Sequence, residues 1–248
     1  MNDYDPIGGH TKEEADAAYE ALLRELHGEE ESGGGFNHPP AVCVLAGQGP
    51  STDGVCAAIC CARLKNAIAA RDGLGREAAE NRAAASTMAT GKAPAPYAPY
   101  ISGVPDETTL AALARFGAEL PETLTDISGK DVILVGFNDP ARAPSGLAYA
   151  RILEIIDCHA LAGLTTKAPV HCNIQPVGAA STLICQLFSE YGISPEPGTA
   201  GLLCAGIVSA TRLFTTPETA KADRLAAATL ANACALDLSS LLPIPLFV

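Results

Sequence analysis

Apolar positions in this chain fall into two patterns, short continuous runs and helical stripes. The runs at 41–46, "DVILVG" at 131–136 and "ILEIID" at 152–157 are apolar on nearly every residue. That is what strands buried on both faces of a parallel sheet require. "APVHCNIQPV" at 168–177 mixes polar and apolar positions and reads as an edge strand. Helical patterns lie between and after the runs. One extends from the loop at 47–53 to about Arg71, one lies around 106–119, and a short one covers 145–151. Three more close the chain near 178–191, 197–212 and 217–235. The last is expected to have Thr216 as its cap and Pro217 at the first helical position, where a missing N–H costs little. Strand–helix alternation of this kind predicts an α/β fold, a three-layer sandwich with a mostly parallel central sheet.

The flanks read differently. Residues 11–27 carry a further helical stripe (Ala15, Tyr19, Leu22, Leu23, Leu26) that Thr11 can cap. A Gly- and Glu-rich linker follows, so residues 1–39 are expected to form an acidic arm with one helix. Residues 40–237 are expected to form the α/β domain, and 238–248 an apolar tail. "REAAENRAAASTMATGKAPAPYAPY" at 76–100 reads as a helix end followed by an extended loop. The tail, "LLPIPLFV", suits an arm packed on another surface or a segment folded back on its own domain.

Composition narrows the choice of partner. The 248 residues carry a formal net charge of −12, which argues against nucleic acid and against an anionic membrane surface. Eight of those twelve charges lie in residues 1–32. This stretch is either a docking arm for a basic partner or a solvated tail. The nine cysteines sit in apolar runs without a zinc-type CxxC pair, which suits buried thiols in a reducing compartment, cytoplasmic or organellar. No signal peptide is evident at the acidic N-terminus, and no apolar run approaches the roughly 20 residues of a membrane span.

Ligands in such folds bind beyond the carboxyl ends of the strands, which directs attention to 47–53, 136–139, 157–159 and 209–212. Four stretches covering these places carry a resemblance: "GQGPSTDGVCAAICCARLKN" (47–66), "VILVGFNDPARAPSG" (132–146), "ILEIIDCHALAG" (152–163) and the segment from "QPVGAAST" to "TRLFTTPET" (175–219). The chain resembles the N-terminal domain of the manganese-dependent family II inorganic pyrophosphatases, in the DHH phosphoesterase superfamily. The resemblance implies phosphoanhydride hydrolysis by paired divalent metals held by His and Asp ligands. By that resemblance the first motif's His, Asp and Asp fall at Gly47, Ser51 and Asp53, the second motif's Asp and following His at Gly136 and Phe137, the signature Asp-His-His at Asp157, Cys158 and His159, and the last metal-binding Asp at Ala210. Among the metal-binding positions named here, several carry no donor at all.

The expectation is therefore a degenerate cleft with no catalytic residues and no metal cofactor, on a pseudoenzyme domain. Its partners would be other protein subunits, held through the N-terminal arm and C-terminal tail. Phe137 is expected to take up part of the former metal volume. The alternative is a surviving metal-dependent hydrolase, using manganese or another divalent ion at Asp53, Cys158 and His159 with Asp157 or Asp139. A third reading is a phosphate- or nucleotide-sensing loop at 47–52, binding through backbone N–H groups. The resemblance also implies a second, substrate-closing domain that this sequence does not contain.

Overall fold

The computed structural model describes residues 42–71 and 96–241. The expected arm, its linker, the stretch 72–95 and the tail beyond Leu241 lie outside the described residues. Strand β1 (Val42–Gln48) leads into helix α1 (Thr52–Arg71). Then come β2 (Tyr97–Ser102), α2 (Glu107–Arg115), β3 (Glu122–Thr123), β4 (Asp131–Val135), β5 (Arg151–Asp157) and β6 (His171–Ile174). Helices α3 (Ala180–Glu190), α4 (Pro197–Ala210) and α5 (Lys221–Ala233) follow. The six strands are all parallel, in the order β3-β2-β1-β4-β5-β6. The α/β fold with a mostly parallel sheet is as the apolar runs predict.

The strands divide the core in two by simple alternation. Val44 and Ala46 of β1 face one cluster, into which all five helices pack; Cys43 and Leu45 face the other. This second face is covered by irregular chain, through residues such as Leu124, Ile127, Ala143, Leu147 and Leu164. The third layer is thus built from turns and loops among the described residues. The short helix expected at 145–151 is a 3-10 turn, Leu147–Tyr149. Helix α4 is apolar all round, as a helix enclosed by its neighbours should be, and it packs against α1.

Other elements differ from expectation as well. β2 occupies sequence expected to be an extended loop; Pro99 sits inside it, opposite Val44. α2 ends at Arg115 because Gly117 turns the chain with φ of 65°. α5 begins at Lys221, four residues after Pro217, and its first turn is organised by Asp223. The buried Asp223 carboxylate accepts from Ala220 N (2.7 Å), Gly178 N (2.8 Å) and Thr182 Oγ1 (2.6 Å). Leu241, in the tail's first turn, is fully buried in the helical cluster, so the expected tail begins by folding back on its own domain.

Candidate functional site

Chain order reverses between β1 and β4, since β2 and β3 build outward on one side and β5 and β6 on the other. A crevice forms where the connections diverge, beyond the carboxyl ends of these strands. A cavity of about 500 Å³ opens there. It brings together Ser51, Asp53, Gly136, Cys158, His159 and Ala210, with Gly178, Ser209, Arg212, Thr216 and Glu218 around them. Gly47 and Asp157 lie outside its lining.

Asp53 is the acid that the sequence offers as a surviving ligand, and the structure gives it another task. Its Oδ2 accepts from Ala180 N at 2.7 Å and its Oδ1 from Ser181 N at 2.9 Å, so it caps the N-terminus of α3. Burial pushes its carboxyl up, against the opposing pull of these N–H groups. Ser51 is similarly engaged, its Oγ accepting from Gly54 N at 3.2 Å.

Phe137 is 1% exposed, and its ring lies against Gly47 on the loop-covered face. A Cβ at Gly47 would come within 2.8 Å of the ring and 3.2 Å of the Arg142 carbonyl. Such contacts are too close to persist without displacing Phe137. The ring therefore excludes a side chain at 47, yet it leaves the neighbouring cavity open. Phe137 accordingly occupies the space a side chain at Gly47 would need and is not among the residues lining the cavity. Gly136, the next donorless position, is held at φ of 73°, where a side chain would be strained.

Donors gather instead at the end of β5. One oxygen or nitrogen of Asp157 and His159 and the sulfur of Cys158 lie within 4.8 Å of one another. Asp157 Oδ1 lies 2.6 Å from His159 Nδ1 and accepts from Cys158 N at 2.8 Å. Its Oδ2 accepts from Asn138 Nδ2 at 2.6 Å. Burial opposes the Asp157 charge, but the His159 hydrogen bond and charge, with Asn138 and Cys158 N–H, hold its carboxyl below the ordinary range. The same hydrogen bond raises His159, against partial burial. Burial pushes the Cys158 thiol well up, and the nearby acids add to it. The Asp53–Cys158–His159 grouping expected as an alternative metal set is replaced by Asp157–Cys158–His159, because Asp53 faces α3. Asp139 caps a separate 3-10 turn, accepting from Ala141 N at 2.9 Å.

Two contributors, Asn138 and Arg212, lie in stretches the sequence singles out, 136–139 and 209–212, but neither is named there as a site residue. Asn138 orients Asp157 and also accepts from Ala162 N at 2.7 Å, tying the two strand ends together. Its signal is its place three residues beyond the buried strand, within the stretch 136–139. Arg212 reaches the cavity rim from an unusual left-handed turn, Arg212–Phe214, with φ of 44°, 57° and 64°. Nothing in residue type foretells that turn, which costs bulky side chains about 1–2 kcal/mol each.

Comparison with known proteins gives this geometry its context. The model for the DHH family, N-terminal domain, matches residues 41–207. A protein of Clostridium acetobutylicum named as a manganese-dependent inorganic pyrophosphatase is 31% identical over 184 residues, 74% of this chain and 51% of that protein. One of Archaeoglobus fulgidus with the same name is 32% identical over 196 residues, 79% of this chain and 57% of that protein. The chain thus spans about half the length of these relatives. A crystal structure of a Methanococcus jannaschii protein described as a family II inorganic pyrophosphatase superposes with a TM-score of 0.67. It is 25% identical, over 83% of this chain and 60% of that one. The relatives' names overturn the expectation of no cofactor, since they point to a divalent metal. The residues present do not fit a pair of such ions. Gly47, Gly136 and Ala210 offer no donor, Asp53 is spent on a helix cap, and among the described residues one cluster of three donors is found. Sequence match, strand order and superposition agree that this chain belongs to the DHH family.

Proposed function

We propose that this domain does not hydrolyse pyrophosphate and acts through contact, as a structural or binding subunit of a protein assembly. The observation that carries the reading is the state of the cleft. The ligand positions on β1 and β4 are glycines, one closed off by a buried phenylalanine and the other at positive φ. The framework around them is intact: the central strands are buried, and Asp53 and Asp223 meet the first N–H groups of α3 and α5. Two-ion hydrolysis needs cations about 3.5–4 Å apart, each with its own set of donors. A single group of three adjacent donors supplies one ion at most. Support for contact partners comes from the acidic residues 1–39 and the apolar residues 242–248. Native purification of the full chain with mass spectrometry of co-purifying proteins tests that part. Recovery of the chain alone at physiological ionic strength counts against it.

The Asp157–Cys158–His159 cluster favours a second reading, an altered hydrolase working with one ion. Phosphate release from pyrophosphate with manganese, magnesium and cobalt separates the two. Turnover that survives purification and disappears in Cys158→Ser favours the second.

A further inference from the structure

The three donors at the end of β5 differ in kind from a hard-cation set. One is a thiol, and thiolates select soft or borderline ions over manganese and magnesium. We propose that this cluster is a site for one thiophilic divalent ion of the zinc class, ligated by the Cys158 sulfur together with the Asp157 carboxylate and the His159 ring. The inference rests on the reading that the paired-ion centre is gone, and it assigns the remaining donors a different ion in a different number.

The geometry is close to what such an ion needs. Zinc bonds of about 2.0–2.3 Å in a tetrahedron place donors roughly 3.3–3.8 Å apart. The Asp157–His159 pair stands at 2.6 Å and the Cys158–His159 pair at 4.0 Å, on either side of that spacing. The short separation belongs to a proton shared between carboxylate and imidazole, and the ion takes that proton's place. Binding sends the Cys158 thiol proton to solvent, clears the Nδ1 proton of His159 (to Nε2 from the neutral ring, to solvent from the imidazolium), and forms three metal–ligand bonds.

The surroundings also suit an ion. Asp157 is fully buried and its second oxygen is fixed by Asn138, the kind of outer hydrogen bond that orients a ligating carboxylate. Cys158 and His159 stand between the 500 Å³ cavity and a second one of about 310 Å³ over Ile174 and Gln175. A fourth donor, water or a side chain from a partner, can enter from either side. Two adjacent residues on a strand would point apart, but β5 ends at Asp157 and the next two residues turn around its carboxylate.

Cobalt serves as the probe, because a cobalt–thiolate bond gives a near-ultraviolet charge-transfer band that oxygen and nitrogen ligands do not. The full chain, dialysed against cobalt or zinc, is expected to retain one ion and to show the band. Cys158→Ser is expected to lose the band and to weaken zinc binding more than about tenfold. Cys172→Ser, altering an exposed thiol, keeps both. Alkylation mapped by mass spectrometry on the unaltered protein gives a readout independent of any variant's folding: zinc protects Cys158 and leaves Cys172 reactive. No retained ion, two ions, a band indifferent to Cys158, or no protection overturns the inference. Pyrophosphate turnover in the same samples judges the proposed function separately.

Discussion

At the residue scale, the contact between Phe137 and Gly47 and the pairing of Asp157 with His159 make different predictions. Truncating a fully buried phenylalanine removes its packing and leaves a hole, so Phe137→Ala should destabilise the domain by about 3–5 kcal/mol in urea denaturation. Gly47→Ala meets the ring at 2.8 Å and should cost about 1–3 kcal/mol. Combining it with Phe137→Ala should recover part of that loss, since the clash is gone. For the Asp157–His159 pair, the signs can be worked from the shifts. Asp157 is lowered in the fold, so its contribution is present above the unfolded value of about 4 and fades as pH falls through the folded value. His159 is raised, so its contribution is full below about 6.5 and is lost as pH rises through the folded value. Stability from the pair should therefore be greatest between about pH 4 and 6.5, and His159→Gln should flatten the alkaline limb of a melting-temperature profile. Which positions lacked donors was legible in the sequence from residue type alone. That Asp53 serves a helix rather than an ion was not, because its partners, Ala180 and Ser181, lie far along the chain.

At the element scale, Asp53 and Asp223 organise the start of the two helices that flank the cleft, α3 and α5. Asp53→Ala leaves two buried N–H groups unmet and should cost about 2 kcal/mol in thermal or urea unfolding. It should leave zinc retention unchanged, since the donor cluster lies on β5. Three of the strands, β1, β4 and β5, were readable as apolar runs because burial on both faces forces it, and β6 as a mixed edge segment. β2 was not, since Pro99 and the tyrosines around it imitate a loop. Its place beside β1 is set by pairing that no local pattern records. The start of α5 was misjudged for a related reason. Pro217 is a good first helical residue, but the carboxylate of Asp223 reaches Gly178 N on another segment and fixes the helix four residues later.

At the scale of the whole molecule, the strand order dictates where a ligand can sit. The order was not legible from spacing, although the runs foretold a parallel sheet. It follows from connections through space, with helices gathered on one face and irregular chain on the other. The switch point, its strands and the cavity are all present, and Gly136 and Ala210 in the cavity lining carry no donor side chain. Release of phosphate from pyrophosphate by the purified full chain, with manganese in excess, tests this most directly. The account predicts a rate no greater than that of metal and buffer alone. Sustained turnover on the ordinary enzyme scale, about 1 s⁻¹ or faster, would contradict it.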